Sequence, residues 1–122
     1  MVNGAPREKL IMGMPLYGQS YTLASSANTG LGAATTGPGS KGSYTGQGGM
    51  LGYNEICEFI KNDGWNVVGP TDEMGPFAYK GNEWVSYDDK ATIRKKVIRF
   101  LNLQNNKLKQ SKLCCLYIKI ES

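Results

Sequence analysis

The chain contains no histidine at all. That removes imidazole bases, Ser-His-Asp arrangements and histidine metal ligands from consideration. Cysteine is scarce: Cys57, Cys114 and Cys115 are the only three. The last two are adjacent, which suits neither metal nor redox CxxC spacing, and an odd count leaves one thiol without a partner. No run reaches the roughly 18 apolar residues that a membrane-spanning helix needs. Residues Met1 to Arg7 carry no apolar core of a signal peptide. Gly48-Gly49 is not followed by Lys-Ser/Thr at Walker spacing, so a phosphate loop is excluded. With 122 residues the chain can form one modest core, but a complete (β/α)8 barrel takes about 200 or more.

Glycine and acid are missing from one end only. All sixteen glycines lie at or before Gly81. Through Asp89 five basic side chains accompany nine acidic ones; from Lys90 onward nine accompany one. A basic end can mean nucleic acid or anionic membrane. No aromatic-and-basic recognition motif accompanies these charges, so they read as a solvated helix face and a tail, with neither nucleic acid nor membrane as partner. Nothing in the pattern calls for a metal or a cofactor.

What is present begins with Leu10-Ile11-Met12-Gly13-Met14, a continuous apolar run of the kind found in strands covered on both faces. The run predicts a strand over Lys9 to Met14. Pro15 stops the ladder and Tyr17 falls just past the strand end, where Gly18 lets the chain turn. Tyr17 is then either an ordinary half-buried tyrosine or a ligand contact at a strand end. Ser20 to Leu23 predicts a second short strand. Ala24 to Gly49, rich in Gly, Ser, Thr and Ala, reads as a long loop or a free linker. Met50 to Lys61 has a helical apolar stripe, with Glu55 and Glu58 outward, and Asp63-Gly64 ends it. Trp65 to Val68 predicts a strand. Gly75 to Tyr79 and Glu83 to Tyr87, joined by Lys80-Gly81-Asn82, predict a hairpin. Asp88 or Asp89 can cap a final helix, with Ile93, Val97, Phe100 and Leu101 on one face and Arg94, Lys95, Lys96 and Arg99 on the other. Trp65, Trp84 and Tyr87 suit a core; Trp84 and Tyr87 could also stack on a ligand.

The segment Met14-Pro15-Leu16-Tyr17-Gly18-Gln19-Ser20-Tyr21 resembles the strand-six segment of the family 18 glycoside hydrolase (chitinase) barrel, where a Met-Pro-x-Tyr-Gly-Arg-Ser-Phe pattern opens a small insertion domain. Gly48 to Cys57 is similar to the start of that domain's helix, and Pro76 to Asp89 to its closing hairpin. The three motifs stand in the family's order and cover roughly residues 7 to 101. The resemblance implies an α+β fold: an insertion domain, a small antiparallel sheet with a helix, flanked by pieces of a (β/α)8 barrel. It divides the chain into residues 1–19 as barrel segment, 20–87 as insertion domain, 88–101 as barrel helix and 102–122 as an aberrant or disordered tail. That tail lacks the Gly-Gly-Ala-Met-Val-Trp-like strand of the family and suggests a read-through or frameshifted end.

The function the resemblance implies is hydrolysis of β-1,4-linked N-acetylglucosamine polymers, with chitin or chito-oligosaccharide as partner and an extracellular location. The family uses the substrate's own acetamide as nucleophile. Its general acid is the glutamate of an Asp-x-x-Asp-x-Asp-x-Glu run that does not occur in these 122 residues, so no catalytic residue is expected here. Asp72-Glu73 and Asp88-Asp89 are adjacent pairs, better suited to a turn and a cap. Substrate contacts carry over to Tyr17, Gln19, Gln47 and Met50. Gln19 replaces the family's arginine and Gln47 its acid, so a charged pair across the cleft floor becomes two neutral hydrogen-bonding groups. Met50 borders the cleft in the family and could equally be core. The resemblance also makes Cys57 a disulfide candidate whose partner is missing. Two further possibilities stay open: a chitinase-like lectin that binds without cutting, and a truncated product without function.

Overall fold

The computed structural model describes residues 11–71 and 74–103. The described residues fall into two compact units, one of residues 15–92 and one of residues 11–14 with 93–103.

In the larger unit the central strand is β1, Tyr17–Leu23. It pairs antiparallel with β2, Thr35–Pro38, and β3, Met50–Gly52, along consecutive stretches. On Gln19 to Thr22 it also pairs with β6, Glu83–Ser86. The ladder continues through β5, Phe77–Lys80, to β4, Asn66–Val68. Helix α1, Tyr53–Asn62, follows directly on β3.

The pleat separates the two faces of this sheet. One face carries Leu51, Ala78 and Val85, and α1 lays Ile56 on it, with Phe59, Ile60 and Trp65 packed around. Trp65 stacks on Phe59 at 5.2 Å. Gly18 also turns to this face. A methyl group there would stand 2.6 Å from the Ser86 carbonyl oxygen and 2.8 Å from Ile56. Its glycine is thus required by close packing inside a strand, not by a turn. The other face carries Tyr17, Gln19, Tyr21, Phe77, Tyr79 and Trp84, by the register of the pairs.

Several expectations hold. The hairpin joins at Gly81-Asn82, Asn66–Val68 is a strand, and Asp89 accepts from the Thr92 N–H and hydroxyl, both at 2.7 Å, at the start of the last helix. Others are corrected. Ile11 to Met14 has no regular structure, and Ile11 is 95% exposed. An apolar run becomes a covered strand only with ladder partners on either side, and no described strand pairs with it. Tyr17 therefore opens a strand instead of following one. Met50 and Leu51 belong to β3, because Gln19 and Gly18 offer them a ladder. The helix starts three residues later than its apolar stripe suggests. The Ala24 to Gly49 loop contains a strand, since Thr35 to Pro38 pairs across to β1. Glu55, expected outward, is 1% exposed.

In the second unit the helix α2 starts at Lys90, still within the first, and continues to Leu103. Val97 on it is buried, Ile93, Phe100 and Leu101 are half-buried, and Arg94, Lys95 and Arg99 are exposed. The predictions for Lys9, Leu10, Asp72, Glu73, Cys114, Cys115 and residues 104–122 lie outside the described residues.

Candidate functional site

The edge of the sheet where β2 and β3 both meet β1 carries a cleft of about 440 Å³. Gln19, Tyr21, Thr35, Pro38, Gln47 and Met50 line it. Three of the four residues expected to touch substrate thus meet around one concavity. Gln19 and Met50 are brought together by the ladder, where their Cα atoms stand opposite each other. Gln47 arrives on the Thr45 to Gly49 turn. Tyr17 shares the face of Gln19 on β1 and is 45% exposed, but it does not line this cleft.

The turn that delivers Gln47 is held by one carboxylate. Glu55 accepts from the Tyr44 N–H at 2.7 Å, the Thr45 N–H at 3.0 Å and the Thr45 hydroxyl. It also reaches back to the Gly52 N–H at 2.7 Å, as the third helical residue of a capping box does. The Thr45 hydroxyl oxygen in turn accepts from Gly52 N–H at 3.0 Å. Both ends of the Thr45 to Gly52 segment therefore close on the same side chain. Burial pushes this carboxyl up, but the hydrogen bonds from Thr45, Gly52 and Tyr44 outweigh it and hold it at about 2. Gly42 packs so closely on this carboxylate that a Cβ there would collide with Oε1.

A second clamp joins the loop to the hairpin. Glu83 accepts from the Ser40 N–H at 3.1 Å and its hydroxyl at 2.7 Å. The Thr22 hydroxyl donates to the Pro38 carbonyl at 2.9 Å, tying β2 to β1 beside the cleft. On the open face, Trp84 stacks on Phe77 at 5.2 Å and donates its indole N–H to the Thr29 carbonyl at 3.2 Å. It is half-buried by this packing. Tyr87 lies 6.3 Å from Tyr53. Burial, followed by the Asp89 charge, pushes the Tyr87 phenol up to about 12. Cys57 is half-buried beside Tyr53, and no other cysteine lies among the described residues.

The arrangement offers amide and hydroxyl hydrogen bonding together with apolar surface from Met50, Pro38 and the Tyr21 ring. That combination suits a neutral polyhydroxylated ligand. None of the cleft-lining residues is charged. Among the described residues no cluster of three His, Cys, Asp or Glu could hold a metal ion, and no helix is long and apolar enough to cross a membrane. Sequence reasoning missed Tyr21, although its two-residue spacing from Gln19 puts it on the same strand face. Thr35 and Pro38 carried no such signal, because only the β1–β2 pairing brings them there. The clamp role of Glu55 was legible only as a Glu three residues after Gly52, without the usual capping side chain.

Glycosyl hydrolases family 18 matches residues 1–108. Among curated relatives, a probable chitinase 10 of Drosophila melanogaster is 50% identical over 108 residues, covering 84% of this chain and 5% of that protein. Catalytic domain 2 of the Ostrinia furnacalis group II chitinase superposes with a TM-score of 0.79 at 41% identity, over 83% of this chain and 27% of that one. Human YKL-39, described as a pseudo-chitinase with retained chitooligosaccharide binding properties, superposes with a TM-score of 0.75 at 46% identity, over 82% of this chain and 27% of that one. The chain thus spans about a quarter or less of the length of these relatives.

Proposed function

The chain belongs to glycosyl hydrolases family 18, and on that premise we propose that it supplies one wall of a cleft for β-1,4-linked N-acetylglucosamine chains. In this reading residues 20–87 are the insertion domain of a chitinase-like protein and residues 1–19 and 88–101 are pieces of its barrel. The observation that carries it is the meeting of Gln19, Gln47 and Met50 around one cleft. Both glutamine amides can donate to and accept from sugar hydroxyls and the acetamide. Met50 gives the acetamide methyl and the ring C–H surface an apolar contact. Tyr17, exposed on the same strand face, extends the contact with its phenol.

Within this chain the residues bind and do not transfer protons. A general acid needs a carboxyl raised towards neutral pH. Glu55 is held in the opposite direction, at about 2, by four donors. The acetamide-assisted hydrolysis of the family requires a glutamate in the Asp-x-x-Asp-x-Asp-x-Glu run, which these 122 residues do not contain. Chitin hydrolysis is accordingly the proposed activity of a longer polypeptide carrying that run, acting outside the cell. The likeness to human YKL-39, described as a pseudo-chitinase, fits the binding-only alternative as well.

Titration calorimetry of the chain with N-acetylglucosamine hexamer, beside a chitotriose-type hydrolysis reporter, tests both halves. Heat of binding without product is the expected result. Absence of binding removes the cleft reading, and turnover by the pure chain removes the claim that it lacks the acid.

A further inference from the structure

Glu55 takes no part in lining the cleft, and it is 1% exposed. Its two carboxylate oxygens nevertheless hold the segment that brings Gln47 and Met50 to the cleft. Oε1 accepts from the Tyr44 N–H at 2.7 Å and the Thr45 N–H at 3.0 Å. Oε2 accepts from the Thr45 hydroxyl and, at 2.7 Å, from the Gly52 N–H. One side chain thus closes Thr45 to Gly52 into a loop, with Gln47 two residues inside one end and Met50 two residues inside the other. Met50 has a further anchor in the ladder with Gln19. Gln47 lies outside that ladder, between Gly46 at φ 65° and Gly49 at φ 82°. A stretch with glycine on both sides wanders unless its ends are held. The far end is held by backbone: the Gly49 N–H donates to the Gly39 carbonyl at 3.0 Å, and the Gly49 carbonyl accepts from the Ser20 N–H at 2.9 Å. The near end rests on Glu55. Even the bond from the Gly46 N–H to the Gly42 carbonyl, at 3.0 Å, belongs to a turn that packs against the same carboxylate.

We propose that Glu55 is a positioning residue for the ligand: it fixes Gln47 before the sugar arrives, and so sets the affinity of the cleft without touching the sugar. The proposal rests on the cleft reading above. Hydrogen bonds to an ionised acceptor are stronger than neutral ones, and a side chain ordered during folding need not be ordered again on binding. A glutamine at this position keeps one acceptor oxygen and turns an N–H2 group towards the donors at the other oxygen. One end of the loop then opens, and the ligand must order Gln47 itself. The loss passes through Gln47, because Met50 stays in its ladder.

Titration calorimetry with N-acetylglucosamine hexamer, expressed per folded molecule, tests this on the 122-residue chain as parent, Glu55→Gln, Gln47→Ala and the double variant. Glu55→Gln should weaken binding about three- to tenfold. With Gln47 already replaced by alanine, the same change should cost about twofold or less. Ile56→Ala, the next residue on the same helix, should leave affinity within about twofold although it unfolds more easily. Glu55→Gln behaving like Ile56→Ala would make Glu55 a purely structural residue and overturn the proposal. An equal loss in the presence and absence of Gln47 would overturn it as well, leaving the cleft reading intact. No binding by the parent, or no effect of Gln47→Ala alone, overturns the cleft reading and this proposal with it. Should Glu55→Gln fail to fold, Thr45→Val takes its place in the same cycle. It removes one donor to the carboxylate, and Thr45→Ser, which keeps the hydroxyl, must restore the affinity. Equal affinities of the valine and serine variants defeat the proposal.

Discussion

The two faces of the sheet are made of the same six strands and have opposite chemistry. The face under α1 is aliphatic and closed: Leu51, Ala78 and Val85 are each at most 3% exposed. The other face is aromatic and amide-bearing and stays half open, with Tyr17, Gln19, Tyr21 and Trp84 along it. One face is covered by a helix whose register it dictates. The other is stiffened by its own stacked rings and by loop carbonyls. The difference teaches that core packing and cleft lining are divided by the pleat along a single strand: Gly18 packs against Val85 and Ile56, while Gln19 and Tyr21 face the cleft.

The strongest way to break this division is Ile56→Ala. Ile56 is 1% exposed at the centre of the closed face. Its truncation should destabilise the chain by about 2–5 kcal/mol, measured by denaturant unfolding, with cleft affinity retained in the folded fraction. A comparable loss of affinity per folded molecule would mean that the faces are not independent.

Next in size is Glu55→Gln. An amide cannot accept from all four donors, so a loss of about 1–3 kcal/mol is expected. Here the pH dependence is diagnostic. The folded carboxyl titrates at about 2 against an ordinary value of 4.5. Its contribution is therefore complete above the unfolded value and disappears as pH falls from about 4.5 towards 2. Urea midpoints measured across that window should drop for the parent chain and be flatter for the variant. Parallel curves would remove the clamp from the account.

Trp84→Phe should cost less, about 0.5–1.5 kcal/mol, because the ring contacts survive and only the bond to the Thr29 carbonyl is lost. Thermal melting measures it. If Trp84→Phe proves as damaging as Ile56→Ala, the open face is a second core.

The smallest effect is on binding. Gln19→Arg and Gln47→Glu together should tighten oligosaccharide affinity by about 0.5 kcal/mol more than the two single changes added. Both side chains line one cleft, so a restored charged pair has a place to form. Strict additivity in a double-mutant cycle would show that the two positions act separately.

Much of this was legible from residues alone. The hairpin around Gly81, the strand at Val67 and the amphipathic last helix are local patterns, set by turn chemistry and apolar spacing. The family could be recognised because three short motifs kept their order. Gln19, Gln47 and Met50 came from motif positions, and their convergence required no new information about distance. Glu55 went the other way. A glutamate on a helix reads as solvent-facing, and only the folding back of Tyr44 and Thr45 gives it enough donors to be buried.

The sequence by itself determined the membership in the family, the absence of histidine chemistry and of the general-acid run, and the alternation that sends Gly18 inward and Gln19 outward. These depend on residue type and near spacing, which the chain carries along its length. The tertiary structure decided that Met50 is strand and not helix, that Thr35 and Pro38 wall the cleft, and that Tyr21 shares that wall with Gln47. Each of these is a pairing between segments far apart in the chain. A ladder hydrogen bond takes whichever partner folding brings opposite it, and that partner is not written in the residues around it.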